Sequence, residues 1–171
     1  MTDTSTNATP ANPTPANPPP GDWPRTIATV FGLGFVRVAP GTVASIAALP
    51  VAWIVADFGS RFWLLFLAIM TTAIGAWACE LYSRATLNPD PSECVIDEVA
   101  AQFLICAIAP LNWFAYLLAF VLFRILDITK LWPINAVEKN VPGGMGIMLD
   151  DTAAALIGGV VIAILAHLGL V

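Results

Sequence analysis

From Trp23 onward the chain alternates long apolar runs with short polar breaks. Residues 26–36 are apolar and glycine-rich, and give way to the polar stretch 37–42. A second apolar run covers 43–56, with Pro50 inside it, and stops at 57–61. Residues 62–79 carry no charge over 18 positions, close to the roughly 20 apolar residues a helix needs to cross a bilayer. The polar segment 80–98 closes on Val95, Ile96, Asp97 and Glu98. Residues 99–123 are apolar again, interrupted at Pro110, Leu111 and Asn112. A charged window, 124–151, precedes a last uncharged run at 152–171, where His167 is the one titratable side chain. The pattern predicts an all-α protein: a compact bundle of about five to six apolar helices, integral to a membrane.

The run 99–123 either crosses once or turns back at Pro110. Its halves, 99–109 and 111–123, are short for full spans, and charge favours the turn. With a hairpin, the segments 23–42, 80–98 and 124–151 share one side of the membrane. That side then holds Arg25, Arg37, Arg84, Arg124, Lys130 and Lys139, with only Arg61 opposite. Basic residues concentrate on the cytoplasmic side of membrane proteins, so the loops gathered on this face are expected in the cytoplasm. The same turn brings Asp97 and Glu98 to the face that carries 124–151.

Composition agrees with the pattern. The chain of 171 residues is 58% hydrophobic and 11% charged, where a soluble domain carries about 25% charged residues. The net charge of −5 excludes a nucleic-acid partner, because phosphate backbones are held by basic surfaces. Residues 1–22 are Pro, Thr, Asn and Ala with little apolar bulk, and are expected to be a disordered tail. They lack the basic start and apolar core of a signal peptide. One domain, 23–171, follows. Cys79, Cys94 and Cys106 form no C-x-x-C pair, which argues against zinc and dithiol chemistry; buried free thiols are expected.

The candidate chemistry lies in the acids. Asp97, Glu98, Asp127, Asp150 and Asp151 all flank apolar runs, where a carboxylate is costly unless paired or bound to a metal. Arg124, Asp127 and Lys130 follow at three-residue spacing and share a helical stripe. Asp97 and Glu98 open one helix, where acids suit the helix dipole. Asp150, Asp151 and Thr152 are expected to open the last helix, so one aspartate serves as a cap. The glycine-rich 141–148 before them reads as a lid or a turn. Clustered oxygen ligands suit Mg²⁺, which takes carboxylates together with phosphate and water. A divalent ion also reverses the repulsion between an acidic site and a phosphate. Lys130 and Arg124 are the cations placed to hold that phosphate. Thr42, in Pro40-Gly41-Thr42, is placed to cap a helix whose exposed amides would take a phosphate oxygen.

Other phosphate chemistries fail on the residues. A phosphohistidine route needs more than His167. A cysteine phosphatase needs C-x5-R, which none of the three cysteines has. The D-x-D-x-[TV] motif of aspartyl-phosphate enzymes and the D-G-x2-A-R pattern of CDP-alcohol transferases are both absent. Carboxylates and Mg²⁺ remain, with a metal-activated water as nucleophile.

Four stretches, "GLGFVRVAPGTVAS" (32–45), "VIDE" (95–98), "FRILDITKLWPI" (123–134) and "GGMGIMLDD" (143–151), resemble the phosphatidylglycerophosphatase A family in order and spacing. The resemblance covers roughly 26–170. It implies a Mg²⁺-dependent phosphatase of the bacterial inner membrane, converting the phospholipid phosphatidylglycerophosphate to phosphatidylglycerol and inorganic phosphate. It carries over Thr42, Asp97, Glu98, Asp127, Lys130, Asp150 and Asp151. On that basis Asp97, Asp127, Asp150 and Asp151 would hold Mg²⁺, and Glu98 would be a further ligand or the base orienting water. Lys130 and Arg124 would hold the phosphate, with Thr42 nearby. No protein partner is implied. Two departures stand out. Leu131 replaces a proline usual before Trp132-Pro133, and Leu33 and Ala44 replace small residues often seen in the first motif. Neither removes an ionisable group. Competing readings are a phosphatase for another lipid or isoprenoid phosphate, and a small cation transporter. A transporter needs its acids near mid-span, whereas these sit at segment ends beside basic residues.

Overall fold

Along the long helices alanine and glycine supply most of the buried positions while many large apolar side chains are exposed, the reverse of a water-soluble bundle. The computed structural model describes residues 23–129, 141 and 143–171. The expected tail, 1–22, and Lys130 lie outside the described residues. The helices are α1 (Trp23–Ala28), α2 (Pro40–Phe58), α3 (Arg61–Thr86), α4 (Ile96–Ile108), α5 (Trp113–Thr129) and α6 (Gly144–His167), with a 3₁₀ turn at Leu33–Phe35. No strand occurs among the described residues. The all-α bundle read from the sequence is the architecture found.

α2, α3 and α6 are long and apolar enough to cross a membrane. Ile46, Val51 and Ile54 on α2, Phe62, Phe66, Ile69 and Trp77 on α3, and Val160 and Ile164 on α6 are exposed. Inside lie Ala44, Ala48 and Ala52, then Ala68, Gly75 and Ala76, then Ala154, Ala155, Gly158 and Gly159. In lipid, apolar bulk gains nothing by turning inward, and small residues let helix backbones approach. A side chain at Gly158 would press on Ile105, and one at Gly159 would collide with Ile108.

α4 is the centre of the bundle. It packs against α2, α3, α5 and α6, and nine of its 13 residues are buried. At 1.5 Å per residue it is only about 20 Å long, short of a hydrocarbon core of about 30 Å. The chain turns back immediately after it, as the charge distribution predicts. Ala109 is extended ahead of Pro110, which disfavours helix in the residue before it. The Asn112 side chain then accepts the Ala115 backbone N–H at 2.7 Å, capping the start of α5.

α1 and the 3₁₀ turn brace the chain entering α4. The Val95 N–H donates to the Ala28 carbonyl at 2.9 Å. Gly34 lies so close to the Glu93 backbone that a side chain there would collide with it. Val30 and Phe31 are both left-handed, at φ 48° and 55°, an uncommon state for a β-branched residue. The buried Thr29 hydroxyl supports this turn, donating to Arg25 O at 2.8 Å and accepting from Gly32 N at 3.2 Å.

Candidate active site

The starts of α2, α4 and α6 and the ends of α3 and α5 meet at one end of the bundle. There a cavity of about 490 Å³ is lined by Asp97, Glu98, Arg124, Asp127, Asp150 and Asp151. Ala39, Pro40 and Gly41 border it, as do the loop residues Pro89, Asp90, Pro91, Ser92 and Cys94. Six of the eight residues singled out from the sequence are therefore together. Lys130 is outside the described residues. Thr42 is in the first turn of α2 but is not part of the lining. The expected cap at Thr42 is not made: Ala39, left-handed at φ 47°, occupies the cap position and no side chain caps the helix.

The last helix departs from expectation in a useful way. Asp150 and Asp151 do not open it. α6 begins at Gly144, so the glycine-rich stretch forms its first two turns and the aspartates lie in its interior, 7% and 4% exposed. That is about 10 Å below the helix start. The recess is matched by α4, whose first turn carries Asp97 and Glu98. One carboxylate oxygen from each of Asp97, Glu98 and Asp151 lies within 4.8 Å of the others. Because α4 begins deeper than α6, space is left above its N-terminus, and the acids line that space.

Close backbone approach places these side chains. A Cβ at Gly41 would collide with the Glu98 carboxylate. A Cβ at Gly144 would collide with the Ala76 carbonyl, and the Gly144 N–H donates to Glu80 Oε2 at 2.7 Å. Glu80, itself paired with Arg84 at 2.7 Å, thus caps α6 from the neighbouring helix. Sequence reading missed Gly41 and Glu80. The Glu80–Arg84 spacing was visible, but nothing local in sequence ties Glu80 to residue 144.

Arg124 supplies the opposing charge. Its Nη1 lies 2.7 Å from Asp127 Oδ2 and 3.8 Å from Glu98 Oε1, with all three side chains largely buried. The short contact is an ion pair without good hydrogen-bond angles, and Arg124 Nε and Nη1 have no hydrogen-bond acceptor among the described residues. Nη1 is committed to the two carboxylates, and Nε is the donor left for an incoming oxyanion. Burial, then the neighbouring Glu98 charge, holds the Asp97 carboxyl well above the usual carboxylate range. Burial also raises Glu98, opposed by its contact with Asp97 and the charge of Arg124. Asp127 lies against Asp151. Among the described lining residues, six carboxylates face one guanidinium, so a phosphate would be repelled without a further cation.

Comparison with known proteins bears directly on this site. A family model described as Phosphatidylglycerophosphatase A matches residues 26–166. The chain belongs to the phosphatidylglycerophosphatase A family. Like other members, it is a phosphatase. Phosphatidylglycerophosphatase A of Escherichia coli K12 is 34% identical over 144 residues, 82% of each chain. Phosphatidylglycerophosphatase A of Haemophilus influenzae is 33% identical, over 80% of this chain and 84% of its own. A Bacteroides thetaiotaomicron protein, provisionally named as a phosphatidylinositol-3-phosphatase, is 35% identical over 82% of this chain and 92% of its own. No solved structure matches the chain. Family membership and the three long apolar helices fit a bacterial membrane protein acting on a phospholipid.

Proposed function

We propose that this protein is a Mg²⁺-dependent lipid phosphatase that hydrolyses phosphatidylglycerophosphate to phosphatidylglycerol and inorganic phosphate, at the cytoplasmic face of the inner membrane. The observation that carries the reading is the convergence of Asp97, Glu98 and Asp151, with Asp127 beside them, opposite an arginine whose Nε has no acceptor among the described residues. The family and the names of the E. coli and H. influenzae relatives support the substrate.

The residues fit Mg²⁺. They are hard oxygen donors, and Glu98 Oε2 is buried with no hydrogen-bond partner among the described residues, an orphan that a cation would satisfy. Asp97, Glu98, Asp127 and Asp151 would hold the ion, with Asp150 adjoining. Bound there, Mg²⁺ would neutralise phosphate charge and lower the pKa of water. The protein's own groups do the rest. Arg124 Nε holds a phosphoryl oxygen, and Lys130, three residues beyond Asp127, adds a second cation. Glu98 orients a water and takes its proton as the water oxygen bonds to phosphorus. The phosphorus–oxygen bond to the headgroup glycerol breaks, and that oxygen takes a proton from solvent water to leave as a hydroxyl, while Glu98 returns its own proton to solvent. The two acyl chains never leave the bilayer.

Charge supports the cytoplasmic assignment. Arg25, Arg37, Arg84 and Arg124 lie toward the site end, and Arg61 begins α3 at the other end. A second reading, a different lipid phosphate as substrate, is favoured by one observation, the name of the B. thetaiotaomicron relative. The test is phosphate release by purified protein from phosphatidylglycerophosphate and from phosphatidylinositol 3-phosphate, with Mg²⁺ or chelator. Release from the first, abolished by chelator and reduced roughly 100-fold in Asp127→Asn, is expected. Faster release from the second would transfer the assignment to that lipid.

A further inference from the structure

Gln102 is fully buried one helical turn below Glu98, and it plays no part in the reading above. As placed, its Nε2 donates to Cys106 Sγ at 3.3 Å. That arrangement leaves two buried acceptors without a partner among the described residues, Gln102 Oε1 and Glu98 Oε2. Buried polar groups are rarely left so. The two residues are four apart on α4, on one helix face.

Reversal of the Gln102 amide would give each orphan a partner. With the amide reversed, the Cys106 thiol donates to Gln102 Oε1. The Gln102 NH₂ group would then be released from a weak sulfur acceptor and available to Glu98, one turn above it on the same face. A thiol is a weak donor, a carbonyl is a good acceptor, and a carboxylate is a better acceptor than sulfur. Glu98 Oε1 already faces Arg124, so the amide goes to Oε2. A carboxylate oxygen has two lone pairs, so Oε2 takes this N–H and a cation together.

We propose that Gln102 is a positioning residue that hydrogen-bonds Glu98 Oε2 and, braced from below by Cys106, fixes the carboxylate at the floor of the site. The catalytic part of this inference rests on the phosphatase reading; the pairing itself does not. Outer-shell partners of this kind typically change metal affinity by about 10–100-fold.

The test has two arms on full-length protein in detergent. The first is a double-mutant cycle of thermal midpoints in chelator, using Glu98→Ala, Gln102→Met and the double variant. Methionine keeps the length of the side chain, so the fold is retained. The expected result is non-additivity, the double variant losing less than the two singles together, because each single strands a buried partner. Additive shifts would overturn the pairing. The second arm is Mn²⁺ binding followed by electron paramagnetic resonance. Gln102→Met is expected to bind roughly tenfold more weakly, and Gln102→Glu more weakly still, since two carboxylates would then face each other. Wild-type affinity in both variants would overturn the positioning role. A non-additive cycle in a protein inactive on every lipid phosphate would sustain the pairing while removing the phosphatase reading. An active wild type with an additive cycle would do the reverse.

Discussion

Gly41 is the residue on which the position of Glu98 most visibly depends. Any side chain there displaces the carboxylate, and a shift of about 1 Å in a catalytic group can reduce rates by about 100-fold. Gly41→Ala is expected to lower kcat/KM by roughly that factor while the protein still folds, measured by phosphate release and circular dichroism in parallel. The raised carboxyl of Asp97 gives a pH prediction. Burial holds its folded value well above the ordinary aspartate range, so its contribution to stability is complete below that ordinary range and is lost as pH rises through the folded value. Without metal, the thermal midpoint is therefore expected to fall between pH 5 and pH 8. Mg²⁺ binds the deprotonated form, so it should raise the midpoint more at pH 8 than at pH 5. Equal stabilisation at both would remove Asp97 from the ion's ligands. Asp97, Glu98, Asp127, Asp150 and Asp151 were legible in sequence because charge is scarce in so apolar a chain. Gly41 and Gln102 were not: one acts through the space it leaves, the other through a contact visible only once burial is known.

Among the elements, α6 shows where local sequence reasoning stops. Gly143, Gly144 and Gly146 read as a lid or turn by propensity, since glycine weakens a helix interior. Tertiary contact overrides that preference. Gly144 lies against the α3 backbone, and Glu80 accepts its N–H, so the glycines allow a close approach that a larger residue would prevent. Glu80→Ala is expected to lower the thermal midpoint and the activity together. Glu80→Gln, whose amide oxygen still accepts from Gly144, should retain most of both. Loss of activity in Glu80→Gln with an unchanged midpoint would mean a role in chemistry rather than in capping. The hairpin of α4 and α5 was, by contrast, well marked: Pro110 and Asn112 give a break and a cap, and the basic residues divide cleanly only if the chain turns back.

At the scale of the molecule, charge asymmetry predicts orientation. The native cysteines are buried, so single cysteines at exposed Asn88 and Leu111 report the two ends. In inverted inner-membrane vesicles, Asn88→Cys is expected to react with a membrane-impermeant thiol reagent and Leu111→Cys to be protected. The opposite pattern would place the site on the far side. The acids on α4 are enclosed by Gly41 near the start of the domain and Asp151 in its last helix. A ribosome reading the message from its beginning lays down α2 to α5 well before α6. Until α6 arrives, α4 is too short to hold itself across a bilayer and its acids have only part of their enclosure. Hydrolysis is thus tied to the arrival of α6: a chain cut before it lacks Asp150 and Asp151 as well as a packing partner, and has no partial version of the reaction centre to offer.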